Sequence, residues 1–259
     1  MRVHAAASSA SARLFTWLGA ALFFVSLAYW IYSYLTTFGV PAADGDFAPA
    51  AAWNVALFTL FALHHSVFAR LPVRRWIAQA VPAPLERSFY VWIASLAFIA
   101  VCALWQPMPG VAWNAEGTLL WALRLLQATG VWLTLRSAAI LDVFELAGIR
   151  RPDHLRQGYG GPPKLDAKAE GLRIPTASSP EFRTTGPYGW VRHPIYTGWF
   201  LMVFAAAPMT MTRLVFAVVS CAYLLIAIPF EERSMRAAAP GAYERYMTQV
   251  RWRLLPGVY

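Results

Sequence analysis

Arg192, His193, Tyr196 and Gly198 fall in one short stretch, Gly186-Pro187-Tyr188-Gly189-Trp190-Val191-Arg192-His193-Pro194-Ile195-Tyr196-Thr197-Gly198. A second polar group, Glu231-Glu232-Arg233, follows an apolar run nearer the C-terminus. A guanidinium, an imidazole, a phenol and two carboxylates are the groups from which ion binding and proton transfer are built. Pro194 suits the first position of a helix, where its missing N–H leaves no bond unmade. His193 would then sit beside free helix N–H groups. Gly198 admits the close approach of another backbone or of a flat ligand.

The elements that must position these residues are apolar. Six runs, at 14–35, 50–68, 89–105, 118–141, 195–211 and 214–230, are each long enough to cross roughly 30 Å of hydrocarbon as a helix. The first lacks a small-x-small cleavage site and ends in Tyr32, Tyr34 and Leu35, so it reads as a retained helix rather than a signal peptide. Only Thr212 and Arg213 separate the last two runs, which must therefore form an antiparallel hairpin. The hairpin lets His193, Tyr196, Glu231 and Glu232 converge at one membrane boundary.

Composition agrees. Hydrophobic residues make up 58% of the chain and charged residues 14%, against about a quarter charged in soluble domains. So much apolar surface excludes disorder. Of 22 Lys and Arg residues, 19 lie before run one, between runs two and three, between runs four and five, or after run six. The segments 36–49 and 106–117 hold none. This bias predicts that both termini are cytoplasmic. It also assigns the net charge of +9 to loops facing an anionic leaflet, not to a nucleic-acid partner. Cys102 and Cys221 lie inside apolar runs and suggest neither a disulfide framework nor a zinc site.

Other polar residues have two readings each. Arg124 can snorkel to the headgroups. Arg136, deeper in the fourth run, either pairs with Asp142 or Glu145 or lines a cavity that takes an anionic group. His65 is either a general base or an interhelical hydrogen-bonding histidine, and His64 reads as structural. The stretch 148–187 is rich in Gly and Pro, a lid or a disordered loop. Its Gly158-Tyr159-Gly160-Gly161 lacks the Lys-Ser/Thr of a phosphate loop. Beyond Pro240, Tyr243, Tyr246, Met247 and Val250 share one helical face. That helix would lie on the bilayer or cap the His193/Glu231 region.

Arg192-His193-Pro194-x-Tyr196-x-Gly198, the hairpin, Glu231-Glu232-Arg233 and Tyr243-x-x-Tyr246 together resemble the integral-membrane methyltransferases of the isoprenylcysteine carboxyl methyltransferase and phospholipid methyltransferase superfamily. Three further segments look like its bacterial methanethiol S-methyltransferase and NnrU-like branch. They are His65-Ser66-Val67-x-Ala69-Arg70, Val81-Pro82-x-Pro84-x-Glu86-Arg87-Ser88-x-Tyr90-Val91, and Trp105-Gln106-Pro107-x-Pro109-Gly110-Val111-x-Trp113. Asp142-Val143 and the long 148–187 stretch depart from that branch.

The resemblance implies an all-α, polytopic bundle of about six transmembrane helices in a bacterial cytoplasmic (inner) membrane. Residues 1–141 would form a four-span region, 142–187 a cytoplasmic loop, and 188–259 the methyltransferase hairpin with its cap. It implies S-adenosyl-L-methionine as cofactor, with Arg192, His193, Tyr196, Gly198, Glu231 and Glu232 at its site. Glu231 and Glu232 would meet the donor's cations, and Arg192 or His193 its carboxylate. Tyr196, Trp190 or Trp199 would meet the adenine. The acceptor would be a small thiol or lipophilic molecule entering through the bilayer and reacting as the thiolate. Arg136, Arg251 or the sulfonium would favour that anion, and His65 would take the proton. The rival acceptors are a prenylated cysteine carboxylate and an amino-phospholipid. The rival class is a non-catalytic, NnrU-like accessory membrane protein, which has no need of a cofactor pocket.

Overall fold

A computed structural model describes residues 10–68, 73, 79, 81, 85–141, 143–149 and 185–259. In chain order its elements are α1 (Ala10–Leu35), a 3-10 turn (Thr37–Gly39), α2 (Phe47–Phe68), α3 (Glu86–Leu104), β1 (Val111–Trp113), α4 (Gly117–Ile140) and the single turn α5 (Val143–Leu146). A second 3-10 turn (Gly186–Gly189) leads to α6 (Pro194–Phe204), β2 (Met209–Thr210), α7 (Met211–Ala238) and α8 (Ala242–Gln249). Most of the stretch expected as a lid, 148–187, lies outside the described residues.

The described residues include five helices long and apolar enough to cross a membrane: α1, α2, α3, α4 and α7. Their apolar residues are spread round the helix rather than gathered on one face, as a lipid solvent allows. Leu60, Leu125 and Ile226 are exposed, while Asn54, Ser137 and Thr212 are buried. The protein is a multi-pass helical membrane protein.

The fifth apolar run departs from a full span. α6 has 11 residues, about 16 Å of helix. It ends at Ala205, ahead of Ala207-Pro208. Residues before proline are biased away from helix, and proline itself brings no N–H. The chain continues as β2, which pairs antiparallel with β1, Val111 opposite Thr210.

This pairing belongs to a compact stitching of one end of the bundle. The Ala42 N–H donates to the Met108 carbonyl (3.1 Å) and the Met211 N–H to that of Gly110 (3.0 Å). The Met108 N–H donates to Thr212 Oγ1 (2.8 Å). Asn54 exchanges two hydrogen bonds with the Gln106 backbone, both 2.8 Å. Arg213 is buried here. Its guanidinium donates to the carbonyls of Tyr34 (2.9 Å), Leu35 (2.9 Å) and Pro208 (2.7 Å), closing the C-terminus of α1. The arginine between the last two apolar runs is therefore a buried cap and not a loop charge.

Next to this end lies an aromatic core centred on the fully buried Phe216, with Trp30, Tyr34, Phe38, Phe58 and Trp105 around it. Trp30 stacks on Trp199 at 4.5 Å, joining α1 to α6. α4 lies close along α6 because two glycines face each other. A Cβ on Gly198 would lie 2.6 Å from the Gly130 carbonyl oxygen and 2.2 Å from Thr134 Oγ1. Of the two reasons for Gly198 given by the sequence, the approach of another backbone is the one seen. Such contacts are how helices associate in lipid, where van der Waals packing replaces the hydrophobic drive.

Gly198→Ala should therefore push α4 and α6 apart and cost roughly 1–3 kcal/mol. A thermal melt in detergent should show a clear drop; an unchanged melt would mean that the helices do not meet there. For orientation, reporter fusions at Asp44 and Asn114 are expected to report the exterior, and fusions at Lys168 and Tyr259 the cytoplasm. A cytoplasmic signal at Asn114 would reverse the arrangement inferred from the basic residues.

Candidate functional site

The opposite end of the bundle carries the polar clusters. Pro187 opens the Gly186–Gly189 turn, and Pro194 opens α6 with His193 as its N-cap residue, as the sequence predicts. The tail returns beside this entry. The Arg192 N–H donates to the Trp252 carbonyl and the His193 N–H to that of Arg253, both at 2.9 Å. Across from it α7 runs through Pro229 and continues to Ala238, well past the end expected at 230. At 28 residues it is about 42 Å long. Glu231 and Glu232 thus sit near the far edge of a 30 Å hydrocarbon layer.

The two glutamates have different surroundings. Glu232 is fully buried. Its Oε1 accepts from Arg192 Nε at 2.8 Å. Its Oε2 accepts from Arg253 Nε at 3.2 Å and from Nη2 at 3.1 Å. Arg192, itself buried, gives its remaining bonds to the carbonyls of Val250 (2.9 Å) and Arg251 (2.6 Å). A buried carboxylate is stable only with such partners, and in turn its bonds hold Arg253 above its usual range. Arg192 and Glu232 therefore clasp the tail to α7.

Glu231 is the accessible one, its side chain 32% exposed. One oxygen accepts from the Tyr196 hydroxyl, and the other lies 3.7 Å from His193 Nδ1. The His193 ring stacks on that of Tyr196, 5.4 Å between centroids and 12° between planes. His193 Nε2 lies 3.5 Å from Glu232 Oε1. The structure thus gathers His193, Tyr196 and Glu231 around one partly open carboxylate.

α8 sits over this region. Tyr243, Tyr246 and Val250 pack with Met235 and Met247, the face read from the sequence. The Tyr246 hydroxyl donates to the Tyr188 carbonyl at 2.8 Å. Burial raises the Tyr243 and Tyr246 phenols above their ordinary range. Tyr188 is raised by burial and then by the Glu231 charge. The helix caps the turn that leads into the site.

The other candidates lie apart from Glu231. Arg136 is on an exposed face of α4; Asp142 and the Glu145 side chain, its expected partners, lie outside the described residues. The Arg251 side chain is exposed, and only its carbonyl joins the clasp. Trp190 is exposed and stacks with Trp132 at 6.3 Å. Trp199 belongs to the aromatic core. Gly198 is covered by α4.

His65 belongs to a second polar group. Its Nδ1 hydrogen-bonds the Tyr90 hydroxyl at 2.6 Å, and Ser66 Oγ hydrogen-bonds the Tyr223 hydroxyl at 2.9 Å. Tyr90 and Tyr223 are both within electrostatic reach of Glu231. The sequence reading missed Tyr90, Tyr223 and Arg253. A signal existed for Tyr223: positions 223, 227 and 231 form one i, i+4, i+8 row on α7. An apolar cavity of about 390 Å³ lies on another side of α6, lined by Leu126, Thr197, Phe200, Leu201, Leu225 and Leu254 among others.

Comparison with known proteins places this geometry. Residues 171–237, which carry both His193–Tyr196 and Glu231–Glu232, match the isoprenylcysteine carboxyl methyltransferase (ICMT) family. A methanethiol S-methyltransferase from a Pseudomonas species is 33% identical over 238 residues, covering 88% of this chain and 84% of its own. One from Pseudomonas deceptionensis is 37% identical, covering 82% and 77%. One from Mycobacterium tuberculosis is 34% identical, covering 78% and 76%. No solved structure matches the chain. With relatives matched over most of their length and the site inside the family match, the chain is a membrane methyltransferase and belongs to the methanethiol S-methyltransferase family.

Proposed function

We propose that the protein transfers a methyl group from S-adenosylmethionine to a small thiol such as methanethiol, releasing a thioether, at the cytoplasmic face of a bacterial inner membrane. The observation that carries this reading is the division between the two glutamates. Glu232 is neutralised by Arg192 and Arg253, whereas Glu231 is partly open and, among the described residues, is bonded by Tyr196 and approached by His193. An accessible carboxylate flanked by stacked aromatic rings suits a ligand that carries cations and a flat base. An accessory protein would have no use for it.

When bound, the donor supplies a methyl carbon on a sulfonium, open to in-line displacement by a thiolate. The chain's own groups do the rest. Glu231 attracts the donor's positive charge, Tyr196 and His193 fix the carboxylate's orientation, and α8 covers the turn before the site and helps exclude water. Arg192 is engaged by Glu232 and the tail carbonyls, which leaves His193, beside Glu231, as the candidate partner for the donor's carboxylate. The names of the relatives support a small thiol as the acceptor.

The two glutamates should separate experimentally. Glu231→Gln keeps the shape and removes a charged contact of about 1.5–3 kcal/mol, so S-adenosylmethionine binding by calorimetry should weaken ten- to a hundred-fold with an unchanged melt. Glu232→Gln leaves Arg192 buried without its charge partner and should cost about 3–5 kcal/mol of stability. Unaltered binding by Glu231→Gln would place the donor elsewhere. The acceptor is identified by a panel of methanethiol, ethanethiol, a farnesylated cysteine and phosphatidylethanolamine, with products separated by chromatography. The thiols should yield thioethers. Turnover of the farnesylated cysteine with neither thiol methylated would overturn the thiol assignment.

A further inference from the structure

Methylation of a thiol releases a proton, and the Glu231 carboxylate, which accepts from Tyr196, is assigned above to the donor's positive charge, so the acceptor's proton calls for a group outside that pair. Burial disfavours the thiolate, so an acceptor drawn from the bilayer arrives protonated. We propose that the Tyr90 hydroxyl and the His65 imidazole, 2.6 Å apart where α2 and α3 meet, form the relay that takes the proton from the acceptor thiol. The relay presupposes the thiol methylation proposed above and adds Tyr90 as the group that faces the acceptor.

Three observations carry it. The first is position. Tyr90 lies within electrostatic reach of Glu231 and of Tyr223, and Tyr223 within reach of Tyr196. The His65 ring lies 6.4 Å from that of Tyr223, which stands on the same row of α7 as Glu231, so the Tyr90–His65 pair borders the cluster on α6 and α7. The second is support. The His64 ring lies parallel to that of Tyr90, 6.2 Å away and at 9°. The Ser66–Tyr223 hydrogen bond ties the same turn of α2 to α7. Both hold the Tyr90–His65 pair in place. The third is exit. His65 lies within a turn of the end of α2, close to the membrane boundary, so a proton received at Nδ1 has a short way out from Nε2.

The step balances. The S–H bond breaks as Tyr90 Oη takes the proton, and the Tyr90 O–H proton passes to His65 Nδ1. The electron pair left on sulfur forms the new carbon–sulfur bond. The sulfonium carbon–sulfur bond breaks, its pair staying on the departing sulfur. The imidazolium then loses a proton to water. Among the described residues, the charged and titratable groups around the pair are His64 on α2, Arg87 on α3, and Tyr223 and Glu231 on α7.

The test uses the full-length protein in detergent and two acceptors, an alkanethiol and an electron-poor aromatic thiol that is already ionised at neutral pH. Tyr90→Phe and His65→Asn should each lower alkanethiol turnover at pH 7 about a hundredfold or more. Both should leave the aromatic thiol within about threefold of the parent and donor binding unchanged, and alkanethiol turnover by the variants should recover as the pH is raised. Equal losses for both thiols, or no loss for either, would overturn the relay. A parent that binds the donor but methylates neither thiol would overturn the thiol reading itself, and the relay with it.

Discussion

One buried carboxylate organises the functional end of this protein. Glu232 is fully enclosed, and a bare carboxylate there would be prohibitively unstable. It is tolerated because Arg192 and Arg253 reach it from two different segments. Those bonds bring the tail back beside the start of α6, where the N–H groups of Arg192 and His193 find the carbonyls of Trp252 and Arg253. The entry to α6, the end of α7 and the last ten residues thereby become one unit. Glu231, the next residue along α7, is turned about 100° from Glu232. It stays outside the clasp and keeps an accessible charge.

The other end of the bundle solves a similar problem with no carboxylate at all. Arg213 is buried, and three carbonyls take its N–H groups. Two of them belong to the end of α1, where the helix dipole favours a cation. Around it, β1 and β2 and the Asn54–Gln106 pair tie the connecting segments together. Between the two ends, packing is made by rings around Phe216 and by the facing backbones of Gly130 and Gly198. The Trp105–Trp113 motif lies in the stitched end. Its part in the resemblance is therefore architectural, whereas the His65-Ser66 and Glu86–Tyr90 segments come to the polar end.

At that polar end, two groups of side chains meet from different halves of the chain. α6 and α7 supply the carboxylate and aromatic rings suited to a cationic donor. α2 and α3 supply the imidazole and phenol suited to an acceptor's proton. Residues 171–237 match the wider family, and the methanethiol S-methyltransferases match far beyond it.

The sequence alone determined the helical membrane class, because apolar runs of this length have no other stable fold in water or lipid. It also determined that α6 and α7 form a hairpin, although the link is 205–210, including β2, and the two residues expected to make the turn lie inside α7. It determined the opening of α6 at Pro194 as well, since proline's fixed geometry and missing N–H suit that position. The apolar face of α8 was legible from its period. What it left undecided was which polar residue does what. Glu231 and Glu232 are chemically identical and adjacent. Only the return of the tail, carrying Arg253, makes one a buried clasp and the other an open carboxylate. Gly198 was ambiguous between a ligand and a neighbouring helix until Gly130 came against it. α6 stopped short of a full span because its last residues found partners in β1, some hundred positions earlier. Hydropathy and spacing are local properties of the chain. Ion pairs, close backbone contacts and strand partners are made between residues far apart in sequence, so the tertiary structure alone assigned them.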